Sequence, residues 1–128
     1  MAASVPEEDL FALIGEDGFA RLVRAFYAQV PSDALLGPLY PPDDLEGAET
    51  RLRDFLVFRF GGPQRYVEQR GHPRLRMRHA PFVVDQKARD RWMELMLASI
   101  DEQPAAAPHR EYLEKFLGDI ATFLINRA

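Results

Sequence analysis

Apolar residues recur at steps of three and four along most of this chain, and the alternation typical of β-strands is nearly absent. Such spacing places apolar side chains on one face of a helix. Four segments carry the pattern, namely residues 19–30, 48–60, 88–99 and 112–124. The sequence therefore predicts an all-α domain with four substantial helices joined by short irregular pieces.

Proline and aspartate mark the ends of these segments. Pro31 should end the first helix just before it, because the residue preceding a proline disfavours helical backbone. Asp85 is a plausible N-cap for the third helix, since its carboxylate can accept a hydrogen bond from a free backbone N–H. Pro108 suits the first turn of the last helix, where no N–H is needed.

Residues 61–84 carry much weaker helical signals than the rest of the chain. Residues 64–69 fit a short helix, and Gly71 is suited to end it. Long irregular segments in compact domains usually serve a function. We therefore expect a functional site in this part of the chain.

The length of 128 residues fits one domain, residues 1–128, with residues 1–9 as a flexible N-terminal extension. The chain is 47% hydrophobic and 28% charged, an ordinary composition for a soluble globular protein. No apolar run approaches the ~20 residues that span a bilayer. The N-terminus also lacks the pattern of a signal peptide. We therefore expect a cytoplasmic location and no membrane partner.

Residues 70–82 concentrate cationic groups on an acidic chain. They include four arginines and two of the three histidines, whereas the chain has a formal net charge of -4. A solvated charged face is the usual interpretation, but a histidine beside the arginines favours an anionic, metal-containing cofactor, with haem the first candidate. Phosphate or RNA would match the charge as well. However, no aromatic residue interleaves with the arginines of residues 70–79, so nucleic acid is not the expected partner.

The absence of cysteine limits how such a cofactor could be held. It excludes disulfides, thiolate catalysis, iron–sulfur clusters and haem ligated by a thiolate. It also excludes covalent haem attachment through a Cys-x-x-Cys-His motif. Any haem must therefore be bound non-covalently, with histidine or methionine as its protein ligand.

His79 is the strongest candidate for a metal ligand. Most titratable side chains have no role in a site, but Pro81 should stop any helix at Ala80 and leave His79 on a terminal turn. A metal-bound imidazole needs an acceptor for its second ring nitrogen. We predict that the backbone carbonyl of Leu75, one turn earlier, is this acceptor.

Tyr27, Tyr40 and Trp92 lie on or beside the apolar stripes of three separate segments. For any one of them, core packing with the polar tip at a carbonyl or a water is the simpler interpretation. Together they offer three hydrogen-bond donors to one core. Such donors could stabilise a ligand that gains negative charge on iron, such as bound dioxygen.

Several motifs in combination resemble the truncated haemoglobins of group II. The most specific is the run from Arg70 to Phe82, Arg-Gly-His-Pro-Arg-Leu-Arg-Met-Arg-His-Ala-Pro-Phe, combined with the pair Tyr27 and Trp92. The resemblance runs from about Phe11 to the C-terminus, nearly the whole chain. Further matching segments are residues 26–30, 39–41, 44–49, 61–63 and 126–127.

The resemblance implies a two-over-two helical sandwich around non-covalent haem b, with a five-coordinate iron. His79 falls at the family's proximal iron ligand. Tyr27 falls at the distal tyrosine, Tyr40 at an aromatic residue near the haem, and Trp92 at the distal tryptophan that separates this group from its relatives. Ala48 falls at the distal gate, where its small side chain leaves the opening free.

The resemblance also implies which residues surround the haem. Leu52 falls at the apolar distal wall, and the family's propionate contacts fall near Arg51, Tyr66, His72 and Arg78. The methionines are more typical of core filling than of axial ligation. The complete set expected to bind the cofactor is Arg51, Leu52, Phe55, Tyr66, His72, Met77, Arg78 and His79.

Three functions follow from these observations. The first is reversible binding of dioxygen and other diatomic ligands, by a monomer or a homodimer. The second is a haem enzyme on the same scaffold, either a nitric oxide dioxygenase or a peroxidase-like enzyme, which would need an external reductase because the chain has no flavin or nicotinamide motif. The third is a helical interaction module without haem, in which the arginines bind an acidic partner.

Overall fold

The computed structural model describes residues 10–71, 73–80 and 82–127, and all regular structure within them is helical. Three 3-10 turns at Gly37–Leu39, Pro42–Asp44 and Ala107–His109 accompany the α-helices. No helix of this part of the chain is both long and apolar enough to span a membrane. The α-helices are α1 (Leu10–Gln29), α2 (Leu45–Arg59), α3 (Arg65–Arg70), α4 (Leu75–His79), α5 (Gln86–Glu102) and α6 (Arg110–Phe123).

Local sequence accounts for several of these helix ends. Helix α1 ends at Gln29, two residues before Pro31, as predicted. The Asp85 side chain accepts a hydrogen bond from the Ala88 backbone N–H (2.8 Å), which confirms its role as the N-cap of α5. Gly71 follows α3 with a φ of 74°, a left-handed conformation that favours glycine and ends the helix.

Helix α1 begins nine residues earlier than its apolar stripe indicated. Residues 10–14 form a separate turn of helix, joined to the rest at Gly15, whose φ of 79° and ψ of 160° are not helical. Leu10 and Ile14 are buried in the core, and the Phe11 backbone N–H donates to the Phe60 carbonyl at 3.0 Å. The kink breaks the helical period, which hid this turn from an analysis of spacing.

The four long helices form two packed pairs. Helix α1 packs against α2, α5 packs against α6, and contacts between α1 and α5 join the pairs. Stacked rings of Phe19 and Phe60, with centroids 5.8 Å apart, fill the contact between α1 and the end of α2. Gln29 joins α1 to α5 by donating to the Ser99 hydroxyl at 2.8 Å and to the Leu95 carbonyl at 3.1 Å. The expected all-α, two-over-two arrangement is confirmed.

Helices α3 and α4 are short and lie in the weakly helical segment. Helix α3 buries one residue, Tyr66, and α4 buries none. Burial of side chains therefore contributes little to holding α4, the helix that carries His79, in place. Its position beside the core leaves a cavity between it and the four long helices.

Candidate functional site

One cavity of about 380 Å³ collects side chains from most elements of the fold. This volume lies within the range of about 300–1,000 Å³ that is typical of small-molecule and cofactor sites. Apolar side chains dominate its walls, with a few polar groups among them. The lining residues include Tyr27, Leu36, Tyr40, Ala48, Arg51, Leu52, Phe55, Tyr66, Arg70, Leu75, Arg78, His79, Phe82, Arg89, Trp92, Leu117, Ile120, Ala121 and Leu124.

His79 is the last residue of α4, and its imidazole lines this cavity. Its Nδ1 lies 2.7 Å from the Leu75 carbonyl oxygen, which confirms the predicted hydrogen bond. Because a carbonyl can only accept, Nδ1 carries the proton in this bond, and Nε2 of the neutral ring keeps a free lone pair. This is the arrangement that a metal-ligating histidine requires.

Tyr27, Tyr40 and Trp92 form an aromatic cluster in the wall of the same cavity. They come from α1, from the segment between α1 and α2, and from α5. The rings of Tyr27 and Tyr40 meet edge to face, with centroids 5.6 Å apart. Phe26 packs beside the cluster, 5.0 Å from the Tyr27 ring and 5.1 Å from the Trp92 ring. We call Tyr27, Tyr40 and Trp92 the donor cluster.

Burial and mutual contacts keep both phenols of the donor cluster neutral. Burial raises the pKa of Tyr27 well above its usual value, and the charge of an ionised Tyr40 and a hydrogen bond to Tyr40 raise it further, against a smaller opposing effect of Arg51. Burial also raises the pKa of Tyr40, while hydrogen bonds from Trp92 and Tyr27 lower it. A neutral phenol keeps its hydroxyl hydrogen, so both tyrosines can donate to a group in the cavity.

Two arginines of the expected cofactor set also line the cavity, and each has other partners. Arg51 Nη2 lies 2.6 Å from Asp44 Oδ2, and both side chains line the cavity. Arg78 donates from Nε to the Pro73 carbonyl at 2.8 Å and from Nη2 to the Arg70 carbonyl at 2.7 Å. These bonds fix the guanidinium plane of Arg78, and its Nη1 has no hydrogen-bond partner among the described residues.

The apolar members of the expected set line the cavity as well. Tyr66 is buried and meets Phe55 edge to face, with ring centroids 5.6 Å apart. Leu52 and Ala48 belong to the same wall on α2. The structure therefore brings together side chains that the sequence distributes over 66 positions, from Tyr27 to Trp92.

Two of the residues expected to bind the cofactor, Met77 and His72, are not among the described residues that line the cavity. Met77 is 61% exposed and lines a separate surface depression with Arg76, Ala80, Asn126 and Arg127. It follows from the helical period that a residue two positions before His79 points away from the side that His79 lines. His72 lies outside the described residues.

The arginine-rich stretch does not form one cationic surface. Arg70 and Arg78 reach the cavity, whereas Arg65, five residues before this stretch, pairs with Glu16 at 2.7 Å. Arg76 donates from Nη1 to the Phe123 carbonyl at 2.6 Å, outside the cavity lining. Only part of the local positive charge therefore faces a ligand.

Sequence reasoning missed the contribution of α6 to the cavity. Leu117, Ile120, Ala121 and Leu124 all line it. Their spacing of i, i+3, i+4 and i+7 marks one helical face, so the signal was present in the apolar stripe. It could not be assigned to a cavity because core and cofactor contacts have the same apolar spacing.

Comparison with known proteins agrees with this geometry. A family model described as bacterial-like globin matches residues 9–126. Because it covers most of the sequence, the chain belongs to the bacterial-like globin family. Membership in this family implies haem as the cofactor and dioxygen and other diatomic gases as ligands.

Individual relatives narrow the family to one group. The group 2 truncated hemoglobin YjbI of Bacillus subtilis is 36% identical over 117 residues, which cover 91% of this chain and 88% of that protein. The hemoglobin of Chloroflexus aurantiacus superposes with a TM-score of 0.87 at 44% identity, covering 96% of this chain and 100% of that one. The group II truncated hemoglobin of Bacillus anthracis superposes with a TM-score of 0.85 at 31% identity, covering 97% of this chain and 94% of that one. The resemblance to group II truncated haemoglobins is thereby confirmed.

The residues of the cavity fit haem. A single imidazole with a fixed tautomer can ligate iron, apolar walls suit a porphyrin, and the free donors of Arg78 match a carboxylate. The donor cluster lines the same cavity as this imidazole.

Proposed function

We propose that this chain holds haem b non-covalently in the cavity and reversibly binds dioxygen and other diatomic ligands there. The observation that carries the proposal is the meeting of one imidazole and the donor cluster in a single cavity. In this proposal His79 is the only protein ligand of the iron. The haem would supply an iron that binds a diatomic ligand and shifts electron density onto it.

The remaining cavity residues would hold the porphyrin. Leu52 and Phe55 supply apolar contacts from α2, and Tyr66 closes the side formed by α3. Arg51, Arg78 and His72 are the proposed propionate partners. Met77 is not part of this proposal, because it lies in the separate surface depression.

The donor cluster would slow the release of a ligand that carries partial negative charge. Both tyrosines keep their hydroxyl hydrogens because burial raises the pKa of each, and Trp92 adds an indole N–H to the same cavity wall. A hydrogen bond of this kind contributes about 1.5 kcal/mol or somewhat more, which is about a tenfold change in rate.

Dioxygen release from the haem-loaded, reduced protein tests this role. We expect Tyr40→Phe to raise the dissociation rate constant about tenfold. Trp92→Phe should raise it less, because it removes a partner of Tyr40 and leaves the Tyr40 hydroxyl in place. Tyr112→Phe is the matched control, since Tyr112 does not line the cavity. Unchanged release in both cavity variants would refute the proposed role of the donor cluster.

A second candidate is a nitric oxide dioxygenase or a peroxidase-like enzyme with an external reductase. The donor cluster in the cavity also favours this function, because hydrogen bonding to dioxygen makes it a better oxidant. Nitrate formed from nitric oxide should exceed the amount of protein many-fold in the presence of a cellular reductase. Nitrate that never exceeds one equivalent would exclude steady turnover.

A further inference from the structure

The residues after α6 return to the wall that carries His79. The Asn126 side chain accepts from the Val84 backbone N–H at 2.9 Å through Oδ1. Its Nδ2 donates to the Phe82 carbonyl at 2.9 Å and to the His79 carbonyl at 3.3 Å. The backbone N–H of Asn126 also donates to the Val84 carbonyl at 2.8 Å. One amide thus connects three backbone groups, at the proposed iron ligand and just after it.

These hydrogen bonds are important because α4 makes few other contacts that could hold it in place. It has five residues, none of them buried, and a helix this short is not stable in isolation. The chain beyond α4 has no regular structure in its described residues before Gln86. Hydrogen bonds with the C-terminal residues therefore add to the limited apolar packing of α4, which comes from the half-buried Leu75.

Arg76 makes a second connection between α4 and the same C-terminal residues. Its Nη1 donates to the Phe123 carbonyl at 2.6 Å and to the Ile125 carbonyl at 3.2 Å. Its guanidinium also lies 5.7 Å from the centre of the Phe123 ring. Arg76 of α4 thus donates to the chain at and after the end of α6, and Asn126 donates back to the end of α4 and the residues after it.

From this arrangement we infer that Asn126 is a positioning residue for His79. It holds the His79 backbone carbonyl and the chain just beyond it, and so fixes where the imidazole stands and how Nε2 is directed into the cavity. Partners of metal-binding residues commonly act in this way. The inference rests on the proposed function, in which His79 binds the iron.

The bonding pattern explains why an amide is required at position 126. The side chain must accept one hydrogen bond and donate two. Aspartate can accept from the Val84 N–H but cannot donate, and its charge would face the carbonyl oxygens of His79 and Phe82. Asn126→Asp therefore keeps size and shape while it reverses two of the three interactions.

The test compares Asn126→Asp with the matched control Gln86→Glu. The control also exchanges an amide for a carboxylate, two residues from Val84, but the Gln86 amide donates to the exposed Asp90 side chain at 2.8 Å and to no backbone group of the described residues. We expect Asn126→Asp to speed haem loss to an excess of a haem-scavenging globin about tenfold, as removal of a ligand's partner commonly does. It should also shift the iron–histidine stretching band of the reduced protein in resonance Raman spectra, whereas the control should change neither.

A third readout does not involve haem. In the haem-free protein, Asn126→Asp should speed hydrogen exchange of the backbone amides next to His79, and Gln86→Glu should not. If Asn126→Asp does not fold, Arg76→Gln takes its place, since it breaks the other connection to the same segment and should shift the Raman band in the same way.

The outcomes separate the inference from the proposed function. Wild-type protein that binds haem, with an unshifted Raman band and unchanged haem loss in a folded Asn126→Asp or Arg76→Gln variant, overturns the inference alone. Wild-type protein that binds no haem overturns both. A shifted band with faster haem loss supports the inference.

Discussion

At the scale of single residues, the two phenols of the donor cluster link stability to alkaline pH. Burial raises the pKa of Tyr27 and of Tyr40 above the ordinary value of 10.0. The unfolded chain therefore releases these protons first, and the stabilisation present below about pH 10 is lost as the pH rises further. We expect the free energy of unfolding of the haem-free protein to fall above pH 10.

The double variant Tyr27→Phe, Tyr40→Phe measures this contribution. Its free energy of unfolding should depend less on pH between 10 and 12 than that of the wild type, because phenylalanine has no proton to release. Denaturant unfolding at several pH values gives the slopes. Equal slopes for the double variant and the wild type would contradict the assigned pKa shifts.

His79 permits a prediction that separates ligation from folding. His79→Gly removes the proposed bond to iron, and we expect haem affinity to fall by more than about 100-fold, beyond what loss of an outer partner causes. Added imidazole should restore part of the absorption spectrum by occupying the vacated space. His109→Gly is the control, because His109 does not line the cavity. Full haem retention by His79→Gly would point to a different ligand.

At the scale of elements, one carboxylate joins the segment that carries Tyr40 to helix α5. Asp33 is 7% exposed, accepts from Arg91 Nε at 2.6 Å, and accepts from the backbone N–H groups of Leu36 and Leu35 at 2.8 and 3.1 Å. Arg91 is next to Trp92 in α5. The pair therefore connects the segment that carries Tyr40 with the helix that carries Trp92.

Asp33→Asn should weaken this connection in a pH-dependent way. The hydrogen bond from Leu36, followed by the interactions with Arg91 and Leu35, lowers the pKa of Asp33 below 3.8. The carboxylate therefore stabilises the fold above that pH, and the stabilisation is lost as the pH falls through the lowered pKa. We expect Asp33→Asn to lower Tm at neutral pH and to flatten its decline below about pH 4, measured by circular dichroism.

The matched control for this prediction is Asp101→Asn. Asp101 also pairs with an arginine, Arg110, at 2.8 Å, but both side chains are about half exposed. Exposed pairs contribute little to stability. An equally large change in Tm for Asp101→Asn and Asp33→Asn would show that the burial of Asp33 adds nothing to the stability that its ion pair provides.

The kink in α1 gives a second prediction at this scale. Gly15 has a φ of 79°, and an added Cβ would meet no atom within 4 Å, so only backbone strain opposes a side chain there. Gly15→Ala should therefore cost about 1–3 kcal/mol in the free energy of unfolding. Gly118→Ala in α6, where no positive φ occurs, should cost less, because its added Cβ would meet only the end of the Arg89 side chain at 3.2 Å and of Met93 at 3.6 Å. Equal effects in denaturant unfolding would contradict the strained kink.

The sequence was informative for elements whose signals are local. Spacing and the flanking Pro31, Asp85 and Gly71 located the main helices and most of their ends, and the turn before Pro81 led to the His79–Leu75 hydrogen bond. It was uninformative where a bond joins distant positions. Nothing in the local pattern pairs Asp33 with Arg91 or residue 126 with residue 84, because such contacts exist only once the helices have packed.

At the scale of the whole molecule, haem should act as part of the fold. The cavity lies among all four long helices, so the haem-free protein leaves apolar walls without a partner. A ligand that binds only the folded state stabilises it by about 2.7 kcal/mol when its free concentration is about 100 times Kd. We expect Tm to rise with haem concentration, and to rise less in His79→Gly. A Tm that is independent of haem would contradict binding in this cavity.

The absence of buried residues in α4 has a consequence for how the molecule exchanges its cofactor. Regions with few apolar contacts open by local unfolding at a smaller free energy than the global transition. Helix α4 and the chain up to Asp85 should behave as such a cooperative unit, while α1, α2, α5 and α6 remain closed. Haem could then enter and leave through one side of a protein that stays folded. The lifetime of the loaded state would be set by how often a five-residue helix detaches from the C-terminal residues.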